Sequence, residues 1–199
     1  MTRKPTTIAF WRGRLPHWEV DHGAYFVTMR LAGSIPVHAA ATIRQMVLEM
    51  AAIKHDHQLA LQRKIFLEME KWLDACSGPD FLTRPAVAEM LMEAMDHRQR
   101  EGIWEMYAYV LMPNHLHLFF AVEKDSLHGT LTDFKRWTGR QAAGLLGWKG
   151  RRFRHGEWFD HWSRSEDEDR RIVQYIRDNP VKAGLVSDSS QWPYASWAG

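Results

Sequence analysis

Apolar and polar positions along the chain predict a succession of strands and helices. Residues 24–31 (AYFVTMRL) alternate well enough to predict a strand. A helical period then runs from 37 to 73 and weakens near His55, which predicts a long helical region that is broken there. Pro85 begins a further predicted helix that runs to about Arg98, because proline is favoured in the first helical turn.

The most strand-like part of the chain follows. Residues 104–111 (WEMYAYVL) and 115–122 (HLHLFFAV) flank Met-Pro-Asn and predict a β-hairpin. Ser126 is the predicted N-cap of a helix that extends to about Leu146. A short strand is predicted over 158–162.

The last helix has the clearest start signal in the chain. Ser165 and Glu168 form the pattern of a capping box, and further acids place negative charge on the first turn. Proline disfavours helical backbone in the residue before it, so Pro180 predicts that this helix ends by Asn179.

This order of elements predicts an α+β fold, with a ferredoxin-like split βαβ antiparallel sheet and helices on one face. Residues 37–76 are then a helical insertion in the first crossover, and residues 1–23 an irregular, basic N-terminal arm. A length of 199 residues suits one domain, which we assign to the whole chain.

Composition excludes several classes of protein. Hydrophobic residues make up 45% and charged residues 25%, as in ordinary globular proteins rather than disordered ones. No stretch approaches the length of a membrane span and the N terminus lacks a signal-peptide core, so no membrane partner is expected. A single cysteine, Cys76, excludes an intrachain disulfide and a cysteine-clustered zinc site. A cytoplasmic location, associated with the nucleoid in a bacterium, is the expectation.

Positive charge is concentrated in residues 126–164, which carry eight Lys or Arg against three acids. Its middle, WKGRRFRHGEW, interleaves basic side chains with aromatic rings. A nucleic-acid strand suits this pattern, since phosphates take the charges and bases stack on the rings; a solvated loop with its rings in the core is the alternative. The candidate DNA-binding residues are Lys135, Arg136, Arg140, Lys149, Arg151, Arg152 and Arg154, with Arg12 and Arg14 of the arm.

Two histidines interrupt the apolar run of residues 115–122. Side chains at i and i+2 of a strand share a face, so His115 and His117 can present nitrogens to one metal ion. Two histidines satisfied by hydrogen bonds beneath a helix are the alternative. His55 and His57 have the same spacing in a helical region, where they point apart around the axis and predict no shared ligand.

The last predicted helix carries the remaining candidate chemistry. Tyr175 and Asn179 stand one turn apart on a stripe with Ile172 and Ile176 that faces the sheet. A phenol and a carboxamide can therefore reach one point together. A core tyrosine with its hydroxyl bonded, and an asparagine that ends the helix before Pro180, are the alternatives.

Taken together, these motifs resemble one family. MPNHLHL (112–118) followed by YIRDNPVKAGLV (175–186) is similar to the REP-associated tyrosine transposases, in the single-tyrosine HUH superfamily (His, bulky hydrophobe, His). LPHWEVDHGAYFVTMRLAGS resembles the family's N-terminal arm and first strand, DFKRWTGRQAAGLLG its helix after the histidines, and SQWPYASW its closing WP-x-x-S motif. WFDHW departs from the YFD-R pattern that relatives often carry.

The resemblance implies an HUH fold that cleaves and rejoins single-stranded DNA through a 5′-phosphotyrosine. His115 and His117 match the metal ligands, Tyr175 the nucleophile and Asn179 an additional polar ligand. Mg²⁺ or Mn²⁺ is the implied cofactor, and hairpin-forming palindromic repeats the implied partner. Relatives differ in oligomeric state, so a monomer and a homodimer stay open.

Other functions also stay open at the level of sequence. One is a non-catalytic protein that binds single-stranded nucleic acid. Another is a metal phosphodiesterase that uses activated water, and a third is an inactive, domesticated descendant. A covalent protein–DNA adduct distinguishes the transposase-like reaction from all of these.

Overall fold

A computed structural model describes residues 6–12, 15–52, 55–76 and 78–198. The candidate Arg14 lies outside the described residues, as does the side chain of the candidate Arg12. The elements in chain order are β1 (Thr7–Arg12), β2 (Pro16–Val20), β3 (Ala24–Arg30), α1 (Val37–Ala52), α2 (His55–Asp74), α3 (Pro85–Arg100), β4 (Trp104–Leu111), β5 (His115–Val122), α4 (Leu127–Leu145), β6 (Phe159–Trp162) and α5 (Glu166–Lys182).

Four antiparallel strands form the main sheet, in the order β4-β5-β3-β6. The connection from β3 to β4 passes over β5, and the connection from β5 to β6 passes over β3. This is the split βαβ arrangement, and the predicted α+β class is confirmed. The β3–β5 register places Thr28 opposite His117 and Arg30 opposite His115.

Alternation along β5 divides the core between the two faces of the sheet. Leu116, Leu118 and Phe120 pack with α3 and α4 on one face, as predicted for the crossover helices. Phe119 packs on the other face with residues of α1, α2 and α5. The expectation of helices on one face therefore holds for α3 and α4, while the inserted helices and α5 cover the second face. That face is the one to which the two β5 histidines point.

The inserted region is helical and interrupted near His55, as predicted, with α1 ending at Ala52 and α2 beginning at His55. Its His55 and His57 lie in α2, and their side chains lie outside the described residues, so the expectation that they point apart stays a prediction. Among the described residues, no helix is long and apolar enough to cross a membrane.

The N-terminal arm is ordered differently from the irregular segment that was expected. β1 and β2 pair antiparallel as a separate two-stranded sheet, with Phe10 opposite Trp18. The hydroxyl of Tyr25 accepts a hydrogen bond from the Val20 N–H at 2.7 Å and donates to the Val20 carbonyl at 2.9 Å. These bonds attach the hairpin to the start of β3, which the proline- and arginine-rich sequence did not indicate.

Helix α5 begins as predicted but ends later. Ser165 caps it by accepting a hydrogen bond from the Glu168 N–H at 3.2 Å. The prediction that it ends by Asn179 is wrong, because the helix continues through Pro180 to Lys182. Proline removes one backbone donor, but the Ala183 N–H still reaches the Asn179 carbonyl at 2.9 Å. Burial of Asn179 and Pro180 against the sheet offsets the cost of the proline.

Candidate metal and nucleophile site

Two buried imidazoles on β5 form the centre of the site. His115 and His117 are both fully buried, and their Nε2 atoms lie 3.1 Å apart. Strand alternation places them on one face of β5, as the sequence predicted, and the structure shows that α2 and α5 cover this face. Two nitrogens that each ligate one ion at about 2.1 Å stand roughly 3 Å apart when the ligand angle is near 90°.

The outer nitrogens of both rings have partners. Asn114 Oδ1 lies 2.7 Å from Nδ1 of His115, and Thr28 Oγ1 lies 2.9 Å from Nδ1 of His117. An amide oxygen can only accept, so Nδ1 of His115 carries the proton and its Nε2 lone pair faces inward. Such partners fix the orientation of imidazoles that bind metals. Phe26 stacks on the His117 ring at a centroid distance of 5.3 Å and holds its plane.

A buried carboxylate that the sequence analysis missed completes the cluster. Glu70 of α2 is 2% exposed, and its Oε2 lies 3.2 Å from Nε2 of His117. Glu70, His115 and His117 each offer a ligand atom within 4.8 Å of the others. A signal was present, because Glu70 interrupts the apolar stripe of Ile65, Met69 and Leu73 in α2. Only the fold shows that this stripe faces the histidines.

Helix α5 supplies the phenol and the carboxamide. The Tyr175 hydroxyl donates a hydrogen bond to Oε2 of Glu70, and the Tyr175 ring lies 5.6 Å from the His117 ring. Asn179, one turn on, is fully buried and donates from Nδ2 to the Tyr175 carbonyl at 3.4 Å. Lys182 lies 5.3 Å from the Tyr175 ring and 3.2 Å from Asp74. The structure thus brings all four predicted site residues together with Glu70.

The charges in the site are set by burial and by neighbours. Burial opposes the ionisation of Glu70, but His117 and His115 hold the pKa of its carboxyl at about 2. Burial and His117 lower the pKa of His115 to about 3. Burial, followed by the negative charge of Glu70, raises the pKa of the Tyr175 hydroxyl. At neutral pH the site holds a carboxylate, a neutral His115 and an intact phenol.

The donor set fits a divalent cation. Among the described residues, two buried oxygens at this cluster have no hydrogen-bond partner, Glu70 Oε1 and Asn179 Oδ1. Buried oxygens without a partner are costly, and a cation would satisfy them. Carboxylate and carboxamide oxygens suit Mg²⁺ and Mn²⁺, and imidazole nitrogens suit Mn²⁺ or Zn²⁺.

The predicted DNA-binding residues separate into two groups. Arg136 is exposed and pairs with Asp133 at 2.9 Å, and Arg151 lies over the Trp148 ring. Exposed positions are also held by Arg140, Lys149 and Arg152. Arg154, in contrast, is buried, and Lys135 is half-buried beside it. These last two lie near the N-terminal hairpin, on the opposite face of the sheet from His117.

Comparison with known proteins supports the family resemblance. The chain is 29% identical over 112 residues to the REP-associated tyrosine transposase of Escherichia coli (strain K12). That match covers 55% of this chain and 64% of the relative, so it spans less than two thirds of the relative's length. No protein-family model matches the chain.

A solved structure shares the fold. It is described as a REP-associated tyrosine transposase bound to a REP hairpin, and it aligns with a TM-score of 0.57 at 20% identity. The alignment covers 96% of this chain and 83% of the other. The resemblance inferred from the MPNHLHL and YIRDNPVKAGLV motifs is confirmed by these two comparisons.

Proposed function

We propose that the protein is a metal-dependent endonuclease and strand transferase for single-stranded DNA, of the REP-associated tyrosine transposase type. One observation carries the proposal: the Tyr175 hydroxyl is held against a buried cluster of Glu70, His115 and His117. A core tyrosine needs one hydrogen-bond partner, but it does not need two inward-facing imidazoles beside it. The sequence similarity to a REP-associated tyrosine transposase supports the same reaction.

His115, His117 and Glu70 would hold the cation, Mg²⁺ or Mn²⁺, with the Asn179 carboxamide beside them. Glu70 is an addition to the ligand set expected from the family resemblance. When bound, the ion offsets negative charge that develops on the oxygens of the scissile phosphate. The ligand side chains are fixed in advance by Thr28 and Asn114, so little reorganisation accompanies binding.

Tyr175 is the nucleophile in this proposal. Its phenolic oxygen forms a bond to phosphorus, and the bond from phosphorus to the 3′-oxygen breaks. The phenol proton passes to Glu70, which already accepts that hydrogen bond, and the departing 3′-oxygen takes up a proton from solvent. The products are a 5′-phosphotyrosine and a free 3′-hydroxyl. A phenol is a better leaving group than a sugar hydroxyl, since its ordinary pKa is about 10.

Rejoining is the same step in reverse. The 3′-hydroxyl of a DNA strand attacks the phosphotyrosine, the bond between phosphorus and the Tyr175 oxygen breaks, and the phenol regains its proton. The energy of the original phosphodiester is kept in the phosphotyrosine, so no nucleotide cofactor is consumed. Hairpin-forming repeats are the proposed DNA, because the solved structure that shares this fold is bound to a REP hairpin.

A labelled single-stranded hairpin DNA with Mn²⁺ or Mg²⁺ tests the proposal. The wild-type protein is expected to form a protein–DNA adduct that survives SDS, and Tyr175→Phe is expected to bind the DNA without forming it. Tyr107→Phe is the matched control, since Tyr107 lies on β4 with an exposed ring. An adduct formed by Tyr175→Phe would reject the nucleophile. Cleavage by the wild type without an adduct would favour the phosphodiesterase with activated water, and binding without cleavage the non-catalytic module.

A further inference from the structure

A cavity lies on the opposite face of the sheet from the histidine cluster. It has a volume of about 660 Å³, within the range of small-ligand pockets. Trp158 and Trp11 belong to the core beneath α3 and α4, whereas the histidines face α2 and α5. The cavity walls include Trp11, His17, His128, Arg152, Arg154 and Trp158.

Arg154 is the anomalous side chain of this cavity. It is 7% exposed, and within the described part of the chain none of its three guanidinium nitrogens has a hydrogen-bond partner. Its guanidinium lies over the rings of Phe134 and Phe153, at 5.7 and 5.5 Å. Burying an unpaired charge destabilises a protein, and buried arginines are ordinarily paired with an anion. The described residues therefore leave this buried guanidinium without an anionic partner.

A second basic side chain, Lys135, lies beside Arg154 and behind the Trp158 ring that lines the cavity. Burial, followed by the neighbouring charge of Arg154, lowers the pKa of Lys135 to about 8. Lys135 donates to the Gly156 carbonyl and lies 4.9 Å from the Trp158 ring, so its position is fixed. Arg152 is exposed at the rim. Two basic side chains, Arg152 and Arg154, thus line the cavity, and Lys135 lies beside Arg154.

The acids at this cavity are already engaged. Asp160 forms a close hydrogen-bonded ion pair with His17, and Glu157 lies 3.6 Å from the same ring and accepts from the Leu15 N–H at 2.9 Å. Among the described residues, neither carboxylate forms a hydrogen bond with the Arg154 guanidinium. The Arg154 guanidinium therefore stays without an acidic partner in the described ranges of the chain, although two acids lie near the cavity.

Aromatic rings make up one wall of the cavity. Trp11 stacks on His17 at a centroid distance of 5.1 Å and meets His128 edge-on at 5.1 Å. Trp158 lies 5.4 Å from His17 and 5.6 Å from His128. Flat rings beside an unpaired guanidinium can bind both parts of a nucleotide, the base by stacking and the phosphate by charge-assisted hydrogen bonds.

We propose that this cavity binds one nucleotide of the single-stranded DNA, with its phosphate on Arg154 and Arg152 and its base against Trp11. The proposal rests on the proposed function for the choice of DNA as substrate. In this role the cavity holds the DNA strand at a second point, on the opposite face of the sheet from the proposed cleavage site. It also gives a function to the N-terminal hairpin, which contributes Trp11 and His17.

Equilibrium binding of a labelled single-stranded DNA in EDTA tests the pocket without chemistry. Arg154→Met keeps the side-chain length and removes the charge, and it is expected to weaken binding about tenfold or more. Arg100→Met removes one exposed arginine on α3 and is expected to change affinity by less than twofold. Equal affinity of Arg154→Met and the wild type would overturn the proposal.

Thermal unfolding separates a binding role from a structural one. Removing an unpaired buried charge is expected to leave the Tm of Arg154→Met equal to or above that of the wild type. A lower Tm together with weaker binding would make Arg154 a structural residue, and would overturn the proposal. Trp11→Leu gives an independent measurement. In the wild type, removing the one base that contacts Trp11 (an abasic site in the DNA) is expected to weaken binding. Trp11→Leu is expected to bind the abasic DNA and the intact DNA with equal affinity.

The source of the phosphate is distinguished by the ligand used. Single-stranded DNA is expected to raise the Tm of the wild type more than that of Arg154→Met, while inorganic phosphate and deoxyadenosine monophosphate at the same phosphate concentration produce no such difference. If phosphate or deoxyadenosine monophosphate raised the Tm of the wild type above that of Arg154→Met by as much as DNA does, the cavity would be a site for a free anion or nucleotide. If the wild type formed no Tyr175 adduct but Arg154→Met still bound DNA more weakly, the proposed reaction would be rejected. The proposal that the cavity binds a nucleotide would stand.

Discussion

The Tyr175 hydroxyl donates a hydrogen bond to Glu70, across 105 positions of sequence. This bond connects α5, which carries a motif shared with a known family, to α2, which belongs to the inserted helical region. The insertion is therefore part of the site rather than a peripheral addition. Its carboxylate faces the phenol and His117 at once, so the arrangement of the proposed nucleophile depends on it.

Glu70→Gln tests that dependence. The amide keeps the size of the side chain but removes its negative charge, so cation binding and acceptance of the phenol proton both weaken. We expect the rate of adduct formation to fall about 100-fold, as for the loss of a general base. Glu68→Gln on the same helix is the control, because its carboxylate accepts a bond from Trp72 instead. An unchanged rate in Glu70→Gln, measured at saturating Mn²⁺, contradicts the role.

His115→Ala and His117→Ala are each expected to abolish metal-dependent cleavage. The structural reason is that the two Nε2 atoms face one point, and one imidazole cannot replace the other. Mn²⁺ at 100 times its Kd stabilises a folded protein by about 2.7 kcal/mol, so the wild type should show a metal-dependent rise in Tm. Neither variant should show it, whereas His97→Ala, an exposed position on α3, should. Full metal-dependent cleavage by either variant rejects a shared site.

Thr28→Val tests whether Thr28 orients His117, one of the proposed metal ligands. The substitution keeps the shape of the side chain and removes the hydroxyl that lies 2.9 Å from Nδ1 of His117. Loss of such a partner typically costs 10- to 100-fold in metal affinity, so the Mn²⁺ concentration for half-maximal cleavage should rise by about that factor. The rate at saturating Mn²⁺ should stay close to wild type. Thr42→Val on the exposed face of α1 is the control, and an unshifted Mn²⁺ midpoint excludes a positioning role for Thr28.

The predicted parts of the site were those fixed by local sequence. The hairpin bounds 104–111 and 115–122 follow from the Met-Pro-Asn turn, and the shared face of His115 and His117 follows from strand alternation. Tyr175 and Asn179 lie together because they stand one turn apart on a helix. Each of these pairs is close in sequence, and the repeat of a single strand or helix determines that its two side chains share a face.

The parts that could not be predicted depend on tertiary contacts. Glu70 reaches His117 only because α2 packs across the sheet, a placement that no local period specifies. The N-terminal hairpin depends on the bonds between Tyr25 and Val20. The extension of α5 beyond Pro180 depends on burial against the sheet, which outweighs the backbone preference of the preceding residue.

The buried pair of His17 and Asp160 predicts a pH dependence of stability. Burial opposes the charge on His17, but hydrogen bonds to Asp160 and Glu157 raise its pKa from 6.5 to about 9. Burial raises the pKa of Asp160 as well, with His17 acting against it, so the two partners do not shift in opposite directions. Both acidic neighbours of His17 favour the imidazolium, so His17 is charged in the folded protein.

Between pH 6.5 and 9 the folded protein then holds a proton on His17 that the unfolded chain has lost. The contribution of His17 to the free energy of unfolding is expected to be fully present below pH 6.5 and to fall by up to about 3 kcal/mol as the pH rises through 9. Urea unfolding at constant ionic strength measures this slope, which should be much smaller in His17→Gln and unchanged in His22→Gln, whose side chain is 95% exposed. A wild-type stability that rises over this range, or an equal slope in His17→Gln, contradicts a charged His17 in the folded state.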